Sequence, residues 1–223
     1  MKILNLYFSS TGNTEKVAQR ITTTVQNMGH QVDAVKITGD TDIDLLSYDL
    51  IFMGSGVYQW LPGKGLQEFI QARLAHYAAA GEIKYASPRR ADKKVVVYCT
   101  YGGAHTGVNE AVPAVKFMGQ LFDHLGFEIV AEWYFIGKYP AEGRFKDYSL
   151  LGRLGNITGR PNDADLEEAA RRMPGWQTDT ACRRDGRGRV SVRAWIWEYS
   201  SIARPRGVFG AGCVLRPVSG SLQ

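Results

Sequence analysis

At 223 residues with 44% hydrophobic side chains, the chain can bury one core as a single domain with an appendage. No apolar run approaches the roughly 20 residues of a membrane-spanning helix, and the N-terminus has no secretory-leader pattern. The expected location is therefore the cytoplasm, with no membrane span. Net charge is +5, but residues 175–223 hold the whole excess, with eight Arg and three acids, whereas 1–174 carries 19 basic and 19 acidic side chains. A neutral core gives no nucleic-acid surface; the basic segment offers at most weak, sequence-independent attraction for polyanions.

Five strand-like runs alternate with helical patterns. The first strand is expected at 3–8, followed by a helix over about 13–28 whose apolar positions are Val17, Ala18, Ile21 and Val25. A second strand follows at 31–37. The link 38–48 is polar and acidic, so its helix is expected to be short or missing. The third strand reads at 49–55 and a helix at 65–79. The fourth strand reads at 94–100 and a helix at 107–125. The fifth strand reads at 127–136, a long loop at 137–161, and a last helix at 163–173. Near-continuous Val/Ile/Phe runs suit strands covered on both faces. Strict strand–helix alternation predicts a doubly wound α/β fold with a parallel sheet. A loop as long as 137–161 in a compact domain usually has a functional or packing role.

Composition changes abruptly after residue 174. Arg183-Arg184-Asp185-Gly186-Arg187-Gly188-Arg189 leads to Trp195-Ile196-Trp197 and then to Gly/Pro/Arg punctuation. This segment reads as an atypical, low-complexity tail, either a real extension or sequence unrelated to the fold. The expected division is thus 1–174 and 175–223. Cys99, Cys182 and Cys213 form no C-x-x-C, and His30, His76, His105 and His124 have no ligand spacing, so no metal is expected. Asp40, Asp42, Asp44 and Asp49 match no calcium loop.

The most informative junction is Ser9-Ser10-Thr11-Gly12-Asn13-Thr14, between the first strand and the first helix. Unpaired N–H groups at a helix N-terminus favour anions. The hydroxyls of Ser9, Ser10, Thr11 and Thr14 can donate to phosphate oxygens, and Gly12 lets the backbone approach closely. With no Lys or Arg, the loop suits a phosphate monoester. It is neither a P-loop, which needs G-K-[ST], nor a G-x-G-x-x-G dinucleotide turn. On these residues alone a second reading stays open, a plain strand-to-helix turn capped by Asn13 or Thr14.

In a doubly wound sheet, ligands lie at the carboxyl ends of the strands, near the switch in strand order. Two further loops leave such ends. One runs Gly54-Ser55-Gly56-Val57-Tyr58-Gln59-Trp60-Leu61-Pro62-Gly63, the other Thr100-Tyr101-Gly102-Gly103-Ala104-His105-Thr106-Gly107. Glycines admit a flat heterocycle, while Tyr58, Trp60 and Tyr101 offer faces for stacking. Tyr101, beside two glycines, is the best placed of the three. His105 has a pKa range suited to proton movement or to bonding a carbonyl edge. Cys99 precedes a glycine loop, but a phosphatase nucleophile needs C-x-x-x-x-x-R, and position 105 is His. A small buried residue is the better reading. A phospho-receiver domain needs acids after the first strand, and Tyr7-Phe8-Ser9 supplies none.

At these residues the chain resembles the flavodoxin-like family of FMN-binding proteins, over roughly residues 1–173. The S-S-T-G-N-T loop matches the family's T/S-x-T-G-x-T phosphate loop. The resemblance implies a five-stranded parallel sheet in the order 2-1-3-4-5 with helices on both faces. It implies FMN as cofactor, with Ser9, Ser10, Thr11, Gly12, Asn13 and Thr14 holding the phosphate. Ser55, Gly56, Val57, Tyr58, Trp60, Thr100, Tyr101, Gly102, Gly103 and His105 would flank the isoalloxazine. Gly56 is the candidate for a backbone group that bonds flavin N5. Three functions follow as expectations. One is electron transfer with a redox partner protein. A second is NAD(P)H-dependent reduction of a quinone or other small acceptor. The third is a binding module that has lost the cofactor. The third loop lacks the acids usual in single-electron carriers, and the phrase from Thr100 through Pro113 looks more like the oxidoreductases of the family.

Overall fold

A computed structural model describes residues 1–143 and 145–173; the expected Arg/Gly-rich tail at 175–223 lies outside them. The elements are β1 (Ile3–Phe8), α1 (Asn13–Asn27), β2 (Val32–Lys36), β3 (Leu50–Tyr58), β4 (Leu61–Pro62), α2 (Lys64–Ala79), β5 (Lys94–Tyr101), α3 (Val112–Leu125), β6 (Glu128–Ile136), α4 (Phe145–Leu151) and α5 (Asp163–Arg171). The five long strands are all parallel and lie in the order β2-β1-β3-β5-β6, which is the expected 2-1-3-4-5. The two-residue strand β4 pairs antiparallel with β3, off this path.

Side-chain alternation divides the core into two layers. Leu4, Leu6, Ile51, Met53, Val95, Val97 and Cys99 face α2 and α3, meeting Leu66, Phe69, Ile70, Met118, Leu121 and Phe122. Ile3, Tyr7, Leu50, Phe52, Val96, Tyr98 and Trp133 face α1 and α5, meeting Val17, Ala18, Ile21, Val25, Ala169 and Met173. Because both faces are covered, the central strands read as continuous apolar runs. The edge strand β2 leaves Asp33, Ala34 and Lys36 exposed.

One polar residue sits inside the second layer. Asn5 is fully buried, and its amide donates to Ala18 O (2.8 Å) and Thr22 Oγ1 (3.0 Å) of α1. Its Oδ1 accepts from the buried Tyr98 hydroxyl at 3.0 Å. The Tyr98 ring in turn occupies the space over Gly54, where a Cβ would lie 2.1 Å from it. Strand and helix are therefore joined by side-chain hydrogen bonds as well as by apolar packing.

Local departures from the sequence reading have physical causes. The link 38–48 keeps only a 3₁₀ turn at Leu45–Ser47. The Tyr77 hydroxyl holds it, accepting from Leu45 N (2.6 Å) and donating to Asp44 Oδ1 (3.0 Å). The expected helix 107–125 is divided into a 3₁₀ turn, Gly107–Glu110, and α3, whose first turn holds Pro113 where no N–H is needed. The expected loop 137–161 contains α4. The expected loop 54–63 is instead the end of β3, a tight turn and β4.

Asn5→Ala is expected to lower the unfolding free energy by about 2–3 kcal/mol, because the Tyr98 hydroxyl loses its buried acceptor. Urea denaturation checks this. A loss under about 0.5 kcal/mol would show that the network adds nothing to apolar packing.

Candidate functional site at the carboxyl edge of the sheet

The strand order reverses between β1 and β3, so loops leaving β1, β3 and β5 meet above that point. Within 9–14 the side chains divide into two groups. Ser9, buried, uses its Oγ to accept from Gly12 N (3.2 Å) and from Glu15 N (3.3 Å) in the first turn of α1. The N-cap position is Gly12, not the Asn13 or Thr14 of the plain-turn reading. Buried Asn13 donates its amide to Lys138 O at 2.7 Å. Thr14, also buried, shares a 2.8 Å hydrogen bond with the Thr100 hydroxyl. Ser10 and Thr11 are exposed. Gly12 takes φ +85°, a conformation suited to glycine, and faces open space. Among the described residues, none accepts from the backbone N–H of Thr11, Asn13 or Thr14. The result is a cluster of free donors at the N-terminus of a 15-residue helix, with no basic side chain in the loop.

The other two loops touch this one directly. Ser10 Oγ is hydrogen-bonded to the Tyr58 hydroxyl at the end of β3, and Thr14 to Thr100 in β5. A loop of hydroxyls and one glycine thus stands between two partners at a switch point. The family model described as a flavodoxin domain matches residues 4–118, which runs from β1 through β5 to the first half of α3. The chain belongs to the flavodoxin family. No curated protein matches it.

Solved flavodoxins share the fold at low identity. Oxidised flavodoxin 2 from Bacillus cereus superposes with TM-score 0.55 at 20% identity, over 80% of this chain and 99% of that one. A short-chain flavodoxin associated with a non-canonical PDU bacterial microcompartment gives 0.54 at 16%, over 81% and 99%. The WrbA-like flavodoxin from Agrobacterium tumefaciens gives 0.50 at 15%, over 76% and 90%.

In this flavodoxin-family chain the second loop is a hairpin. Ser55, fully buried, donates its hydroxyl to Gly56 O (2.8 Å) and accepts from Gly63 N (3.0 Å), closing the hairpin base. Gly56 pairs with Thr100 and Val57 with Pro62, so both are strand residues. Turning over the Gly56 peptide would break the Ser55 bond, which corrects the picture of Gly56 in a free loop. The Tyr58 ring lies over Gly56, where a Cβ would come 3.0 Å from it. At the tip, Gln59 and Trp60 take φ +49° and +68°, and Trp60 is 61% exposed. Two left-handed non-glycine residues in one turn are a strained arrangement that keeps the indole in solvent.

The third loop is held from within the chain. Tyr101 is only 9% exposed and packs in the α2/α3 layer, so it offers little face to a flat ligand. Burial pushes its phenol pKa up. Instead, the ring of Tyr139 lies over Gly102, at 2.1 Å from a would-be Cβ. The Tyr139 hydroxyl accepts from Ala104 N at 3.3 Å. Glu110 accepts from the N–H groups of His105 and Thr106, both at 2.7 Å, and Gly103 O from Gly107 N at 3.0 Å. Among the described residues, the N–H groups of Gly102 and Gly103 have no acceptor, which leaves them as the loop's donors. His105 is exposed and packs edge-on against Tyr148, ring centres 5.4 Å apart.

Sequence reasoning missed Gly137, Lys138 and Tyr139 as parts of the site. The available signal was the long segment after the last strand, with aromatics at 139, 145 and 148. No helix among the described residues is long and apolar enough to cross a membrane, and none of their His, Cys, Asp and Glu side chains form a group of three that could hold a metal.

Two outcomes follow from this geometry. Gln59→Gly is expected to raise the unfolding free energy by about 1 kcal/mol by relieving a left-handed residue. An unchanged urea midpoint would show that the turn is unstrained. Cys99 is fully buried, and burial pushes its thiol pKa far up. Alkylation followed by peptide mapping should label Cys99 only after denaturation; labelling in the native protein at pH 8 would contradict the placement.

Proposed function

We propose that the chain binds FMN without a covalent link and works as an electron-transfer flavoprotein. The observation that carries this is the set of N–H groups of Thr11, Asn13 and Thr14, free among the described residues, with the exposed hydroxyls of Ser10 and Thr11, at the N-terminus of α1. These donors fit a phosphate monoester, and the open space at Gly12 leaves room for it. A doubly charged phosphate is well served by neutral donors on a helix dipole. Tyr58 and Trp60 on one side, with the N–H groups of Gly102 and Gly103 on the other, offer an aromatic face and donors for a carbonyl-bearing ring. The phosphate loop anchors, and the hairpin and third loop orient and shield from water. Bound FMN would supply one- and two-electron transfer, which no side chain here provides.

A second reading, NAD(P)H-dependent reduction of a quinone or other small acceptor, is favoured by one feature. The third loop presents His105 and no acid, and the nearby Glu110 carboxylate is engaged by backbone N–H groups. Absorbance of the purified full chain with added FMN tests cofactor binding, and anaerobic bleaching by NADH or NADPH separates the two readings.

The pair Ser10→Ala and Thr11→Val is expected to weaken FMN about a hundredfold, since each hydrogen bond to a charged phosphate contributes about 1.5 kcal/mol or more. Riboflavin, which has no phosphate, should lose little. Thr14 is unsuited to this test because its hydroxyl joins α1 to β5. Equal FMN affinity in the double variant, by fluorescence titration, would remove the phosphate assignment.

A further inference from the structure

The two ends of the proposed site are joined by three consecutive residues that follow β6. Gly137 packs against the Asn13 side chain, where a Cβ would lie 3.0 Å from Nδ2, and its N–H donates to Tyr101 O at 2.9 Å. Lys138 O accepts from the Asn13 amide at 2.7 Å, and Lys138 N donates to Arg160 O at 3.0 Å. Tyr139 N donates to the buried Ser149 hydroxyl at 3.0 Å, while the Tyr139 ring covers Gly102 and its hydroxyl accepts from Ala104 N. On the far side of the same loop, Ala104 O accepts from Arg153 N at 2.8 Å. The Tyr139 ring is further fixed by Phe145 and Tyr148, with ring centres 6.1 and 5.5 Å away.

We infer that Gly137–Lys138–Tyr139 is a bridge that couples the phosphate loop to the third loop, with Asn13 and Tyr139 as its positioning residues. This rests on the FMN reading only for the identity of the ligand; the coupling itself is a property of the chain. Among the described residues, the Asn13 side chain makes one hydrogen bond, to the bridge rather than to its own helix. The acceptor of Ala104 N–H among the described residues is the bridge tyrosine. A ligand that orders the N-terminus of α1 therefore orders Lys138, and through the adjacent peptide Tyr139. The N–H groups of Gly102 and Gly103 are thereby held toward the ring end of the site. A short connection held at each of its three N–H groups and at Lys138 O has little room for gradual deformation.

Amide hydrogen exchange on the full chain reads the bridge without any flavin. Tyr139→Phe keeps the ring on Gly102 and removes the acceptor, so exchange at Ala104 should accelerate at least about tenfold. Asn13→Ala, at the other end, should accelerate Ala104 as well, while Val97 in the core of β5 keeps its rate. If Asn13→Ala also speeds Val97, then Asn13→Asp, which keeps the volume but loses the donor, takes its place. With flavin, Asn13→Ala should weaken riboflavin about threefold to tenfold although riboflavin has no phosphate. Unchanged exchange at Ala104 in the Asn13 variant, or unchanged riboflavin affinity in protein that binds it, would overturn the bridge. A wild-type chain that binds neither FMN nor riboflavin would instead overturn the FMN reading, and exchange at Ala104 alone would then decide the bridge.

Discussion

The buried side chain of Asn5 sets the geometry on which the rest depends. A fully apolar β1 could slide against α1 with small changes in packing. An asparagine amide at the middle of the strand cannot, because each displacement leaves a polar atom unpaired in a dry layer. Its partners Ala18, Thr22 and Tyr98 belong to α1 and β5, so one residue ties a helix and two strands together. Gly54 on the intervening strand completes the arrangement by leaving room for the Tyr98 ring. With strand and helix fixed in this way, the loop 9–14 has little freedom, and the first N–H groups of α1 face the edge where the strand order reverses.

Around that edge, residues of similar type divide into buried and outward-facing ones. Ser9, Asn13 and Thr14 are buried and hold the scaffold together; Ser10 and Thr11 face outward. The same division recurs in the other loops. Ser55 and Thr100 are buried in hydrogen bonds, Tyr101 is in the core, and Tyr58, Trp60 and His105 are exposed. A loop in which every polar side chain pointed outward would be unable to hold its own backbone. The buried members supply the rigidity that lets the exposed ones keep a fixed position.

Two further features shape this edge, the turn at Gln59–Trp60 and the segment 137–161. The turn holds two non-glycine residues in the left-handed region, a conformation that persists because β3 and β4 pair on either side of it. The segment places Tyr139 over the third loop, so the ring closest to Gly102 comes from after the last strand and not from β5.

Period and turn chemistry were enough to derive the alternating strands and helices, a parallel sheet and a turn at residues 9–14, while the strand order came with the family resemblance. Each depends on neighbours within a few residues: Val17, Ala18, Ile21 and Val25 define a helix face, and Gly12 after three hydroxyls defines a turn. The family pattern in Ser9–Thr14 then pointed to a flavin-binding edge. What the tertiary structure alone decided was which of those side chains remain free. Ser10 meets Tyr58 across 48 residues, Thr14 meets Thr100 across 86, and Asn13 meets Lys138 across 125. Tyr101 looked like a stacking face because a strand end beside two glycines allows one, but strand parity turned its ring into the α2/α3 layer. Local chemistry selects an element and its ends; the direction of a side chain and its partner follow from long-range packing, which no local pattern encodes.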